Sequence, residues 1–375
     1  MRIKNFVLAC ALLSLLALIT SCTTSPNTQT DSTAQSDSTD SSAVSSDSYQ
    51  FEKDVCSANE YFDVQELEIP ESIHSYTPSP LAPITSNDIL LLLYENPSAP
   101  LCKEVGIFNV LSREFKRLIE ITPDTDFLLE YADSSIIVYK EFNPIANTLT
   151  LYYYSFEDQQ AHMIYAFAPE YPDTNQILVR DNYIYFDDVV VQDGQVTDTV
   201  LYQYDITSNQ INVFADSAQQ PLAFKDDILF IRNHTSEHSF TLGTKEKSNL
   251  LTLSQRISGL ASSGDELYSV NNKALSSEYG TIWNIVRLSD NTELLTANIA
   301  IDQLVADQDV LVWRNFMPEY PTLYSREHDC FMRFEDLGKN YNTFLLGKET
   351  ILLLASNEDN PEKEYQTSYY LISSH

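Results

Sequence analysis

The sequence predicts an all-β domain: a seven-bladed β-propeller of four-stranded antiparallel blades, with six or eight blades as the neighbouring counts. Three observations predict it. First, a motif of two polar residues, an apolar anchor and a run of β-formers keeps returning. Its anchors Ile89, Ile136, Tyr183, Ile228, Leu267, Val310 and Ile351 are spaced by 47, 47, 45, 39, 43 and 41 residues. Second, an aliphatic–aromatic pair follows each anchor: Ile107-Phe108, Leu151-Tyr152, Leu201-Tyr202, a degenerate Thr241-Leu242, Ile282-Trp283, Leu323-Tyr324 and a shifted Tyr369-Tyr370. Third, no long segment carries the 3.6-residue periodicity of an amphipathic helix.

Within a unit the strands are read from alternation. Val200, Tyr202, Tyr204 and Ile206 alternate with Leu201, Gln203 and Asp205, which describes a half-buried strand. Thr207-Ser208-Asn209 then turns the chain into a further strand through Ile211, Val213 and Ala215. Each unit is a meander with a polar pair at the turn before its second strand. With only 8 glycines in the chain, Asp and Asn must serve many turns. One meander buries a single face well, so the units must stack and close on themselves. The seventh unit ends at its third strand, Tyr369–Ile372. Upstream of the first unit lies one unassigned strand-like segment, Tyr61 to Ile69, which is expected to complete the last blade. Pro70, Pro78, Pro80 and Pro83 then mark a linker into the first blade.

The N-terminus reads differently. Arg2 and Lys4 precede an apolar-to-small stretch from Phe6 to Ile19, too short to span a bilayer and shaped like a secretory signal. Its end, Ile19-Thr20-Ser21-Cys22, resembles the lipobox of bacterial lipoproteins. That resemblance implies a signal peptide over 1–21, cleavage before Cys22 and lipid attachment (palmitate and diacylglycerol chemistry) at its thiol. From Thr23 to about Tyr49 the chain is nearly all Ser, Thr, Asp, Gln, Asn and Ala, so it cannot bury enough apolar surface to order itself. Residues 22–50 are read as a disordered tether, holding the domain at 51–375 roughly 30 Å from its anchor. The expected location is the extracytoplasmic side of a cell membrane or outer membrane. The partner implied is the lipid bilayer, reached through acylated Cys22.

The chain carries 22 Lys+Arg against 54 Asp+Glu, a formal net charge of −32. Such a surface repels phosphate backbones, which excludes nucleic acid as a partner, and it keeps the domain soluble and monomeric. Outside the leader, Cys56, Cys102 and Cys330 form no CxxC pair. One bridge, Cys56–Cys102, is open if the N-terminal segment packs on the first blade; buried free thiols are the alternative.

The Leu-Tyr-x-Tyr-Asp form at Leu201–Asp205 is similar to the repeats of TolB-type propellers, which also occur in the propeller domains of prolyl-oligopeptidase-like proteins. The likeness extends loosely over residues 85–373. It implies a surface that binds or scaffolds other proteins, by analogy of fold alone.

Catalytic motifs are scarce. There is no G-x-S-x-G elbow of the kind an oligopeptidase needs. Ser276–Trp283 resembles an Asp-box with Glu278 in place of Asp, a structural motif, placed here before a third strand. Asp187, Asp188, Asp193 and Asp198 cluster in one unit and are of the type that holds Ca²⁺, but Asp193-Gly194 is also a hairpin signal. His234 and His238 have a spacing that converges on a helix, whereas this segment is expected to be a surface loop. His328 and Cys330 are two apart, as on one strand face. Tyr171, Tyr279, Tyr320 and Tyr341 are expected on loops, suited to protein or carbohydrate contact.

The expectation is therefore a lipid-anchored, non-enzymatic propeller that binds an unidentified protein or envelope glycan, with no catalytic residues, cofactor or metal. The alternative is an extracellular glycan-acting hydrolase or lyase on the same scaffold.

Overall fold

The alternating β-formers pair as their pattern requires. In the computed structural model the described residues run from 50 to 374 with gaps, the longest at 168–176, 315–322 and 358–365. Their strands form seven sheets. Sheet I comprises Thr77–Pro83, Asp88–Asn96, Ala99–Asn109 and Glu114–Glu120. Sheet II comprises Asp126–Ala132, Ile136–Asn143, Thr148–Ser155 and Gln160–Ala166; sheet III, Leu178–Arg180, Tyr183–Gln192, Gln195–Asp205 and Gln210–Asp216. Sheet IV comprises Gln219–Lys225, Ile228–Ser236, Ser239–Gly243 and Leu251–Leu253. Sheet V comprises Arg256–Ser263, Glu266–Ala274, Thr281–Arg287 and Thr292–Ala297; sheet VI, Asp302–Ala306, Val310–Arg314, Leu323–Ser325 and Cys330–Arg333. Sheet VII takes Tyr341–Leu346, Ile351–Asn357 and Gln366–Ser374 from the C-terminus and Phe62–Leu67 from the N-terminus.

This is a β-propeller of four-stranded antiparallel blades. First strands of successive sheets lie against one another from I to VI, sheet VI meets VII through Val310–Arg314, and Tyr341–Leu346 lies against Thr77–Pro83. An apolar cluster fills each of these interfaces, including the one between VII and I, built on Leu67, Ile89, Leu91, Leu352 and Leu371. The expected closing strand is thus found, with Phe62 paired to Ser374 and Leu67 to Tyr369.

The repeat is visible in the backbone. The residue before the fourth strand is left-handed in five sheets: Arg113 (φ 59), Gln159 (57), Asn209 (55), Asn291 (59) and Asp329 (51). None of the five is glycine, as the low glycine count requires, and side chains hold several of these turns. Asn109 accepts the N–H groups of Leu111 and Ser112 (3.1 and 2.9 Å), and Asp205 those of Thr207 and Ser208 (2.8 and 3.3 Å). The third strands of sheets I, II and III each bulge against their fourth after an equivalent buried residue, Val105, Leu151 and Leu201. The sequence pairing of Ile107-Phe108 with Leu151-Tyr152 is therefore two residues out of step. At Gly106 a Cβ would overlap Lys116 O, so the bulge in sheet I needs glycine there.

Three expectations are corrected. Pro78, Pro80 and Pro83 lie inside the first strand of sheet I, facing Leu93, Leu91 and Ile89. The Ile84 N–H donates to Asp88 O (2.8 Å), which puts the 83/89 pair, and the others in phase with it, at non-hydrogen-bonded steps. Each missing N–H would point away from the only partner strand, so prolines are tolerated. Cys56 is bonded to Cys330 (Cα–Cα 6.1 Å), not to Cys102, which is a buried free thiol. His328 sits in the turn before the fourth strand of sheet VI and stacks on Tyr61, ring centroids 3.9 Å apart.

Candidate functional site

The second strands run apolar until, in two adjacent sheets, they turn charged at the same step. Ile136-Ile137-Val138-Tyr139 is followed by Lys140-Glu141, and Tyr183-Ile184-Tyr185-Phe186 by Asp187-Asp188. The steps are equivalent because Lys140 pairs with Leu151 and Asp187 with Leu201, the two bulge residues. All four charged side chains are buried. Side chains alternate across a strand, so each doublet sends one charge to either neighbour. Ile136 and Val138 enter the core between sheets II and III, and Lys140 follows them; Ile184 and Phe186 enter the same core from sheet III, and Asp188 follows. Glu141 and Asp187 point the opposite ways.

The wall between sheets II and III therefore gathers several ionisable groups. Lys140, fully buried, pairs with Glu130 at 3.0 Å and lies over the Phe167 ring, 5.7 Å from its centroid. Glu130 occupies a bulge of the first strand of sheet II, between Leu129 and Tyr131. Desolvation holds the Glu130 carboxyl above its ordinary range, against the pull of Lys140 and of the Ile177 N–H. Tyr165, in the row of Lys140 and Leu151, donates its hydroxyl to Asp188 Oδ2 at 2.9 Å, while Asp188 Oδ1 accepts the Val189 N–H at 2.8 Å. Burial first, then the Asp188 carboxylate, keeps the Tyr165 phenol protonated far above its usual range. On the other side of sheet II, Thr122 donates to Glu141 at 2.7 Å. One wall thus presents a phenol that holds its proton (Tyr165), a carboxyl biased toward its acid form (Glu130), a second carboxyl (Asp188) and a cation (Lys140). That set suits general acid–base chemistry.

The four aspartates of the Ca²⁺-type cluster separate. Asp187 and Asp188 are buried in the strand, Asp193-Gly194 forms the hairpin turn (φ 54 and 74), and Asp198 is exposed with its carboxylate on the Thr199 N–H. No group of three or more His, Cys, Asp or Glu side chains is placed to hold a metal among the described residues. His234 belongs to the strand Ile228–Ser236 rather than to a loop, and His238 lies outside the described residues. Tyr341 begins a strand, while Tyr171, Tyr279, Tyr320, Ser276–Gly280 and Cys22 lie outside the described residues. A cleft of about 330 Å³ lies between sheets IV and V, lined by Lys225, Ile228, Phe230, Leu267, Leu288 and Ser289; it is largely apolar and holds no carboxylate. Sequence reasoning missed Glu130, Lys140, Glu141 and Tyr165, although a charged doublet interrupting an apolar strand run was there to be seen.

No family model matches the chain, and no curated protein does. Solved structures do. An acylaminoacyl peptidase bound to Z-Gly-Gly-Phe-chloromethyl ketone is similar over 78% of this chain and 51% of its own, at 12% identity and TM-score 0.52. The β-propeller domain of the Trilobed protease from Pyrococcus furiosus, described as having an open velcro topology, is similar over 80% of this chain and 94% of its own, at 11% identity and TM-score 0.50. An oligogalacturonate lyase in complex with manganese reaches TM-score 0.49 at 10% identity, over 77% of this chain and 86% of its own. The chain spans about half the length of the acylaminoacyl peptidases.

The chain has a β-propeller fold. At these identities the likeness establishes that and no more. The propellers named in that comparison are parts of peptidases, which runs against the expectation of a non-enzymatic binding module and leaves its alternative, an enzyme on a propeller scaffold, as the reading to propose.

Proposed function

We propose that this chain is an extracytoplasmic enzyme, a hydrolase or lyase acting on glycan, with its acid–base centre in the wall between sheets II and III. The observation that carries the reading is two carboxyl groups of one wall held in unlike settings. Glu130 is biased toward the acid form by burial, and Asp188 accepts the Tyr165 hydroxyl. Carboxyls held in different environments are how one site supplies both an acid and a base at one pH. With a net charge of −32 the protein favours neutral or basic sugars over polyanionic ones.

The seven sheets are taken as seven blades of one closed ring of TolB type, acting as a monomer. The turn built on Leu201–Asp205 supports that type, since Tyr204 donates to Asn209 and Asp205 caps the turn. In this reading a signal at 1–21, a tether running from Cys22 to the first strand at Gln50, and an acyl anchor on Cys22 hold the propeller outside a cell or outer membrane. Mass spectrometry of the membrane-extracted protein tests this: an acylated N-terminal Cys22 is the expected species.

The catalytic reading is tested by incubating the detergent-solubilised protein with neutral and basic glycans. New reducing ends report hydrolysis, and ultraviolet absorbance of an unsaturated sugar reports elimination. Turnover that disappears in Asp188→Asn and Glu130→Gln, with folding intact, is the expected result. Turnover that persists in both variants would move the centre elsewhere, and none with any glycan would reject the enzyme class.

A further inference from the structure

Before it enters sheet VII, the N-terminal segment crosses the outer edges of two other sheets. Gln50–Phe51 pairs antiparallel with Leu295–Thr296 of sheet V. Val55–Ser57 then runs parallel to the fourth strand of sheet VI, Val55 opposite Phe331 and Ser57 opposite Arg333. These pairings are two and three residues long. Strands so short do not persist by their ladders alone.

Other bonds hold this strap along sheet VI. Lys53 pairs with Asp329, the Phe331 N–H donates to Asp54 O (2.9 Å), and Cys56 is bonded to Cys330. The ion pair is exposed enough to hold little by itself. The strand that follows is different. Phe62–Leu67 pairs at six consecutive positions with Gln366–Ser374 and buries Phe62 and Leu67, so sheet VII is complete without the disulfide.

We propose that Cys56–Cys330 is a redox latch: its reduction by a dithiol releases the strap up to Ser57 from sheets V and VI, while Ala58, fully buried between sheets VI and VII, and the closed ring stay in place. Cys330 is buried at 2% exposure and Cys56 is half-buried, so the incoming thiolate reaches the Cys56 sulfur first. An S–S bond forms between reagent and Cys56, and the Cys56–Cys330 bond breaks with its electron pair leaving on Cys330, which takes up a proton. The second thiol of the reagent then attacks the reagent sulfur of the mixed disulfide and expels the Cys56 thiolate, which is also protonated. Two electrons and two protons pass to the protein, and the dithiol leaves as its disulfide. The release uncovers the outer edge of Cys330–Arg333 and adds the strap's length to the proposed tether.

Amide hydrogen exchange on the full chain, with and without dithiothreitol, tests it. Peptides covering 50–57 and the Phe331 amide should exchange at least about tenfold faster on reduction. Peptides 62–67 and 366–374 should not change, and Cys102 should stay closed to alkylation. Cys56→Ser should show the released pattern without reductant, while oxidised Lys53→Ala should not. Unchanged exchange at 50–57 after complete reduction overturns the latch. Opening of 62–67, or labelling of Cys102, overturns it equally, because the disulfide would then be holding the ring itself.

Discussion

The interface between sheets II and III and the one between V and VI are built on the same step of the same repeat, yet they are filled differently. Between V and VI the wall is apolar, with Tyr268, Val270, Ile285, Leu311, Trp313 and Phe331 all buried. Between II and III the apolar row gives way to Lys140 and Asp188, with Glu130 and Tyr165 closing over them. A buried ion pair costs desolvation that well-packed apolar groups avoid, so the II–III wall carries a cost that the V–VI wall does not.

Substitutions break or sharpen this contrast. The largest effect is expected at the apolar wall: Trp313→Ala should lower unfolding stability by about 4 kcal/mol in denaturant titration, through the cavity it leaves. Lys140→Ala should cost about 3 kcal/mol, because Glu130 is stranded in a desolvated site, while Lys140→Met with Glu130→Leu should recover most of that loss by making this wall resemble the other.

The two regions should also answer pH with opposite signs. Glu130 titrates above its ordinary range when folded, so its contribution is fully present below the unfolded carboxyl range and is lost as pH rises through the raised value. Asp329, beside the strap, is held below its range by Lys53 first and by Tyr324 second, so its contribution is present above the unfolded value and is lost as pH falls through the depressed one. Melting curves across acid pH should therefore flatten in one direction for Glu130→Gln and in the other for Asp329→Asn. The smallest effect is expected for Tyr204→Phe, about 1 kcal/mol, from losing the bond to Asn209 that steadies one turn.

Much of the fold was legible because its determinants are local. Alternation at Val200–Ile206 reports a strand, and the scarcity of glycine reports turns of another composition, found at Arg113, Gln159, Asn209, Asn291 and Asp329. The closing strand was legible as arithmetic, one strand lacking at the end and one to spare at the beginning. Pro78, Pro80 and Pro83 misled because prolines usually break strands, and only the pairing phase shows that these do not. The disulfide was out of reach because Cys56 and Cys330 lie 274 residues apart and meet only when the ring is closed. The charged wall escaped for a related reason: Glu130, Lys140, Tyr165 and Asp188 share no motif, and only the juxtaposition of two sheets makes them neighbours.

The strand that completes sheet VII sets a timetable for the molecule's birth. Phe62–Leu67 leaves the ribosome long before its partner Gln366–Ser374 does. Until then the early strand is an orphan edge, open to false partners, and the circle stays a crescent. A chain cut short before Gln366 would lack the awaited strand and leave the early one unpaired, so a defect late in the chain would be felt about three hundred residues upstream.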